Sequence, residues 1–134
     1  MPVGVPGTDG PVYAFTTWDP DGAGPQPEVL VVAGAFTVAG DVVANVAAWD
    51  GSAWQPLDSG MSFESPYVCA VYALTVFNGE LIAGGRFSYA GGVLCIGIAR
   101  WIGSAWQPLG SGMGGYPYYF VYALTAYDGD LIAG

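Results

Sequence analysis

The stretch Ser52-Ala53-Trp54-Gln55-Pro56-Leu57 returns unchanged at residues 104–109. A second phrase, Val71-Tyr72-Ala73-Leu74-Thr75, returns unchanged at residues 121–125 and in looser form at residues 12–16. Self-similarity at a fixed period of about fifty residues is the signature of repeat architectures, in which each copy is one supersecondary unit. The chain therefore divides into a first unit, a second unit and an incomplete third unit.

The composition predicts strands rather than helices. The 134 residues are enough for one ordinary domain. They include 22 Gly and 10 Pro but only two Lys or Arg, and 15% are aromatic. So few charges with so many glycines and aromatic rings suit short strands joined by tight turns. We therefore expect an all-β fold.

Charge and hydropathy exclude some partners. A net charge of −9 would repel a polyanion, which argues against nucleic acid and against docking on an anionic membrane. The most apolar stretch, residues 29–49, is interrupted by Asp41 and Asn45 and predicts two buried strands rather than a membrane span. Residues 1–6 have neither a basic region nor an apolar run, so they are not a signal peptide.

The second unit shows the full pattern, which predicts four strands in an antiparallel meander. Its first strand is apolar on both alternating faces, as is typical of a strand covered on both sides. Asn78-Gly79 is a strong signal for a two-residue hairpin turn, and Ile102-Gly103 is predicted to form a second tight turn. The predicted strands are residues 71–77, 80–85, 96–101 and 104–109 in the second unit, 12–17, 29–36, 44–49 and 52–57 in the first, and 121–127 and 131–134 in the third.

A four-stranded sheet covered on both faces by copies of itself is the blade of a β-propeller. A strand ending in two glycines and followed by two spaced tryptophans resembles the Kelch-type repeat. The markers are Gly84-Gly85, Trp101 and Trp106 in the second unit, and Ala33-Gly34, Trp49 and Trp54 in the first, where Ala33 replaces a glycine. Residues 85–92 and 110–113 are similar to a bacterial secreted or cell-surface subgroup. The resemblance implies a Kelch-like β-propeller with about two and a half blades and an extracellular or cell-surface location.

On this interpretation one propeller domain runs through the chain. Residues 1–11 are a lead-in, 12–58 are blade one, 59–109 are blade two with its preceding loop, and 110–134 are half of a third, truncated blade. A propeller closes with about four or more blades, so the chain alone leaves apolar faces open. Two explanations compete: several chains form a ring, or the sequence is a piece of a longer protein. Strand order favours the piece, because a second chain that opens with strand one cannot supply strands three and four.

The predicted ligand face is rich in tyrosine. The loops after the fourth strands, and the loop at residues 87–94, are longer than a turn needs and emerge at one end of the blades. Tyrosine offers a large contact area and a hydroxyl, and binding residues usually lie on loops over a rigid scaffold. The candidate ligand-binding residues are Tyr67, Tyr89, Tyr116, Tyr118 and Tyr119. The alternative is that these rings cap the blade ends.

The sequence predicts a non-catalytic binding or scaffolding module with a protein or glycan as its ligand. It contains no His, no Lys and no nucleophile motif, so we expect neither catalysis nor a cofactor. Two alternatives stay open: a purely structural repeat array, and the accessory propeller of an enzyme whose catalytic part lies outside this chain. The four repeat tryptophans are predicted to pack between blades rather than to stack on sugars.

Three further pairs of residues have a structural explanation as well as a functional one. Asp19 and Asp21 have a spacing that is compatible with Ca²⁺, although a hairpin tip explains them without a metal. Cys69 and Cys95 are the only cysteines; they form either a disulfide, which would make the chain extracytoplasmic, or two buried free thiols. Arg86 and Arg100 are expected to bond to acidic residues or carbonyls of a neighbouring blade.

Overall fold

The computed structural model describes most of the chain, and this part is all β. The described residues are 10–22, 24–36, 38–39, 42–43, 45–58, 60–62, 69–109 and 121–134. Within these ranges there is no helix, and hence none long and apolar enough to cross a bilayer. The strands are β1 (Val12–Trp18), β2 (Val29–Gly34), β3 (Val38–Ala39), β4 (Val42–Val43), β5 (Val46–Trp49), β6 (Trp54–Pro56), β7 (Met61–Ser62), β8 (Ala70–Phe77), β9 (Glu80–Arg86), β10 (Tyr89–Ala90), β11 (Val93–Leu94), β12 (Ile98–Trp101), β13 (Trp106–Pro108), β14 (Leu124–Tyr127) and β15 (Asp130–Ala133).

The first and second units fold in the same way. Each forms a four-stranded antiparallel sheet, in the order β1-β2-β5-β6 for the first unit and β8-β9-β12-β13 for the second. The predicted antiparallel meander is therefore confirmed in both units. The third unit contributes the hairpin β14–β15, with Tyr127 paired with Asp130 across the Asp128-Gly129 turn.

Both faces of the second sheet are covered. Successive side chains of a strand point to opposite faces, so β9 contributes to two different core layers. Leu81 and Ala83 belong to the core that the second sheet shares with the first, together with Val31 and Val46. Ile82 lies on the other face, in a core shared with Val121 of the third unit. The three units therefore stack in chain order, with the second between its neighbours.

The hairpins between the third and fourth strands are longer than the sequence indicated. The prediction of a two-residue turn at Ile102-Gly103 is wrong, because Trp101 pairs with Trp106 and leaves four residues in the loop. The Ile102 N–H donates to the Ala105 carbonyl at 3.1 Å, and Gly103 has a φ of 98°, which favours glycine. Pairing the two tryptophans across the strands brings their rings to 5.2 Å and shortens the fourth strand to Trp106–Pro108.

The segment predicted to be a loop, residues 87–94, instead contains a small hairpin. Strands β10 and β11 pair with each other, and β10 also pairs with β7, in a three-stranded sheet. Gly91 and Gly92 form the turn with φ of 57° and 82°, a conformation that glycine adopts without strain. Because β7 directly follows the first sheet, this small sheet ties the first unit to the second.

A buried asparagine makes a second tie between these units. The Asn45 side-chain amide is buried and donates to the carbonyls of Gly34 at 3.3 Å, Phe36 at 3.0 Å and Cys69 at 3.2 Å. The first two acceptors lie in the first unit, and Cys69 immediately precedes β8. An unpaired buried carbonyl costs about 1–3 kcal/mol. The Asn45 amide therefore stabilises both the backbone around Gly34 and Phe36 and the junction between the first and second units.

Candidate binding surface

Three tyrosines from equivalent positions of the repeat form a row across the units. Tyr13 and Tyr72 have ring centroids 5.5 Å apart at an interplanar angle of 48°, and Tyr72 and Tyr122 stack at 5.0 Å and 22°. Tyr13 is 52% exposed and Tyr122 is 61% exposed, while Tyr72 between them is half-buried. The structure therefore presents a continuous aromatic surface, which we call the tyrosine row.

A backbone irregularity aims the first two of these side chains. In β1 the pairing register shifts between Val12 and Ala14, and in β8 it shifts between Val71 and Ala73. The tyrosine between them is the extra residue of a β-bulge in each case. Bulges commonly re-aim a side chain and recur next to functional sites. The row is thus held by a device that the fold repeats, rather than by a loop.

The glycines of the repeat make room for this bulge. A Cβ atom on Gly34 would lie 2.1 Å from the Pro11 carbonyl oxygen, and one on Gly85 would lie 2.2 Å from the Ala70 carbonyl oxygen. Both distances are far shorter than van der Waals contact. The nearest atoms belong to the backbone, which cannot rotate away as a flexible side chain can. A glycine at positions 34 and 85 is therefore required by the close approach of the bulged first strand.

Of the tyrosines predicted from the sequence, the described residues include one. Tyr67, Tyr116, Tyr118 and Tyr119 lie outside the described residues. Tyr89 lies half-buried on β10. β9 ends at Arg86, and β10 follows shortly after it. Tyr72 lies next to Val71 on β8, and Val71 pairs with Gly85 at that same end of β9. Tyr89 and the tyrosine row thus lie at the same end of the second sheet.

The repeat tryptophans pack in the interior. Trp101 and Trp106 lie in the core between the first and second units, as predicted, whereas Trp49 and Trp54 pack with residues of their own unit. Trp54, Trp101 and Trp106 are buried, and Trp49 is half-buried against Trp54 with ring centroids 5.3 Å apart. The Trp106 indole N–H donates to the Leu57 carbonyl of the first unit at 2.9 Å. Buried rings of this kind fix the arrangement of the sheets and offer no open face for stacking on a sugar.

The acidic pair at residues 19 and 21 stabilises a turn. One carboxylate oxygen of Asp19 accepts the Asp21 N–H at 3.2 Å, and Asp21 accepts the Gln26 N–H at 2.8 Å. Carboxylates that cap backbone N–H groups in this way are typical of exposed turns. Among the described residues no group of three or more His, Cys, Asp or Glu side chains is placed to hold a metal ion.

Both cysteines are free thiols in the structure. Burial raises the pKa of Cys69 to about 11, against a smaller opposing effect of the nearby Arg86 charge, and burial also raises the pKa of Cys95. A thiol with a raised pKa carries little of the reactive thiolate at neutral pH. These side chains therefore behave as apolar packing groups of the core between the first and second units.

Arg100 is paired within its own sheet. Its guanidinium Nη1 lies 3.2 Å and 3.3 Å from the two carboxylate oxygens of Glu80. The expected bond to an acidic residue is therefore confirmed for this arginine, and its partner lies in the same unit rather than in a neighbouring one. The cause is register: Arg100 pairs with Ile82 across β12 and β9, which brings Glu80, two residues along β9, within reach.

Sequence reasoning placed the ligand on loop tyrosines and missed the tyrosine row. The signal was present in the repeated Val-Tyr-Ala phrase itself, but strand alternation without a bulge gives no reason to single out its tyrosine.

Comparison of the chain with protein-family models, with curated proteins and with solved structures finds no match. The surface must therefore be interpreted from its own chemistry.

Proposed function

We propose that this chain is a non-catalytic interaction module of a secreted or cell-surface protein, built as part of a Kelch-like β-propeller. Its units are the blades of that propeller, and its ligand is a protein. The observation that supports binding is the tyrosine row, because solvent-exposed aromatic rings held on rigid strands are typical of interaction surfaces. The stacked pair of four-stranded sheets with tryptophans between them supports the propeller assignment.

The geometry of the row favours a polypeptide over a glycan. A sugar ring is recognised by lying flat on the face of an aromatic ring. Tyr72 lies between two aromatic neighbours, and its face is stacked on Tyr122 at 5.0 Å. The solvent-exposed parts of Tyr13 and Tyr122, together with their hydroxyl groups, suit the mixed apolar and polar contacts of a protein hot spot. The proposed ligand surface also includes Tyr89, which lies at the same end of the second sheet as the tyrosine row.

A random peptide library displayed on phage, together with an oligosaccharide array, tests this function. Selected peptides should bind the wild-type chain and lose at least about tenfold in affinity, roughly 1.4 kcal/mol, with Tyr122→Ala. Tyr127→Ala is the matched control, because Tyr127 is an exposed tyrosine of the same unit that lies outside the row. Unfolding temperatures should be equal for both variants.

Two results would count against this function. Binding of oligosaccharides but not of peptides would replace the protein ligand by a glycan. Failure of both libraries, or equal binding by the Tyr122 and Tyr127 variants, would favour a purely structural array.

A further inference from the structure

A small surface that combines apolar side chains with one carboxylate lies where the first and second units meet, in the middle of the chain. The hairpin β10–β11 presents two aliphatic side chains to solvent, since Val93 is 37% exposed and Leu94 is 54% exposed. Leu94 pairs across this hairpin with Tyr89 of the proposed ligand surface. Asp58 lies beside the turn of the hairpin, because a Cβ atom on Gly91 would lie 2.8 Å from its Oδ2 atom. We call Asp58, Tyr89, Val93 and Leu94 the junction surface.

The turn that holds Asp58 does not require a carboxylate. Asp58 has a φ of 57°, a backbone conformation that favours glycine, and Gly110 stands at the equivalent position of the second unit. The Gly60 N–H closes the turn by donating to the Leu57 carbonyl at 3.3 Å. Within the described ranges the exposed carboxylate of Asp58 makes no hydrogen bond and no ion pair. Its negative charge is therefore available to a partner.

The charge of the chain favours a basic partner at this surface. With a net charge of −9, two arginines and no lysine, the chain attracts cations and repels anions. Arg100 pairs with Glu80, and Arg86 is half-buried close enough to Cys69 to act on its pKa. In the part of the chain that the structure describes, neither arginine pairs with Asp58. The charge that complements Asp58 has to come from the ligand.

We infer that the protein ligand presents an arginine to the junction surface, with its guanidinium group on Asp58 and its aliphatic stem on Val93 and Leu94. The inference rests on the proposed function and names the chemistry of its ligand, a basic polypeptide segment. Arginine suits both contacts, because its planar donor group matches a carboxylate in two parallel hydrogen bonds and its methylene groups cover apolar surface. Arginine and tyrosine are also enriched among the residues that dominate protein interfaces.

Peptides selected from a random phage library against the wild-type chain test this chemistry. The selected sequences should be enriched in arginine over aspartate and glutamate. Asp58→Asn removes the charge and introduces a residue that tolerates a positive φ, so fluorescence anisotropy should show at least about fivefold weaker binding. Asp128→Asn is the matched control, because Asp128 is also exposed, has a φ of 51° and lies on a hairpin turn at the opposite end of the sheets. It should change binding by less than about twofold.

Two further measurements separate a local pair from a general effect of charge or of folding. In a double-mutant cycle, Asp58→Asn is combined with a peptide whose most enriched arginine is replaced by glutamine. If the two groups touch, the combined loss is smaller than the product of the single losses. Asp58→Gly introduces the residue of the second unit, so it should lose as much binding as Asp58→Asn at an unchanged unfolding temperature.

The outcomes distinguish this inference from the proposed function. Selected peptides without arginine enrichment, equal losses for the Asp58 and Asp128 variants, or independent effects in the cycle would overturn the inference. The proposed function would stand in those cases if Tyr122→Ala still weakened binding. A library that yields no binding peptide would overturn the proposed function and this inference with it.

Discussion

Ile82 and Ile132 occupy the same position of the same repeat, yet one is 1% exposed and the other is 48% exposed. Among the described residues, the second unit is covered by neighbours on both faces, whereas the third unit packs against a neighbour on one face. In repeat proteins the stability of a unit is the sum of its own folding and of its interfaces. The difference between Ile82 and Ile132 in their contribution to the free energy of unfolding therefore measures how much a neighbouring unit stabilises the sheet that it covers.

The largest expected effect tests this comparison directly. Ile82→Ala should lower the free energy of unfolding by about 2–5 kcal/mol, because it leaves a cavity in a closed core. Ile132→Ala should cost less than about 1 kcal/mol, because half of that side chain is already in water. Urea unfolding of the two variants, at a protein concentration at which each is monomeric, gives both losses in the free energy of unfolding. Equal losses would show that the third unit is covered by something beyond the described contacts.

Two glycines, one in the second unit and one in the third, extend the same comparison. Gly85→Ala should destabilise the chain by about 1–3 kcal/mol, because the new Cβ would lie 2.2 Å from the Ala70 carbonyl oxygen and the bulged strand has to move. Gly134→Ala adds the same methyl group in open space and should be nearly neutral. Thermal melts of the two variants distinguish them. A neutral Gly85→Ala would mean that the bulge beneath Tyr72 is not held by close packing.

The smallest effect concerns the equivalent hairpins of the first and second units. The pKa of Asp50 is lowered to about 2, chiefly by the backbone N–H groups of Ala53 and Ser52, with smaller contributions from the Ser52 and Gln55 side chains. A folded-state pKa below the ordinary value of 3.8 means that this carboxylate stabilises its hairpin above about pH 4. That contribution is lost as the pH falls toward 2.

Ile102 replaces the aspartate in the hairpin of the second unit, although the backbone closes in the same way. Amide chemical shifts followed by NMR should therefore titrate near pH 2 at Ala53 and stay constant at Ala105. A midpoint near 4 at Ala53 would mean that the capping bonds of Asp50 are absent in solution.

The repeat made much of the fold predictable. Val-Tyr-Ala-Leu-Thr and Ser-Ala-Trp-Gln-Pro-Leu recur in sequence, so the order of strands and the pairing of the first two sheets followed from period and turn chemistry. What could not be predicted depends on contacts between distant segments. The pairing of β10 with β7 joins Tyr89 to Ser62, and no local pattern in either short strand specifies that partner.

The binding surface was harder to predict for a related reason. A tyrosine on a strand that is apolar on both faces is expected to be buried, and only the register shift at residues 71–73 shows why Tyr72 is instead aimed at its counterparts in the other units. Glycine recurs at the equivalent positions 34 and 85 of the repeat, but the reason for it, the close approach of the Ala70 backbone to Gly85, became visible only in three dimensions.

Native-state hydrogen exchange tests the central claim, that a unit is stabilised by its neighbours on both faces, most directly. Amides exchange through local opening, so their rates report the stability of each unit separately. In the wild-type chain, the amides of β9 should exchange only through global unfolding, and those of β15 should exchange much faster through separate opening of the third unit. Equal protection of β9 and β15 would contradict the account.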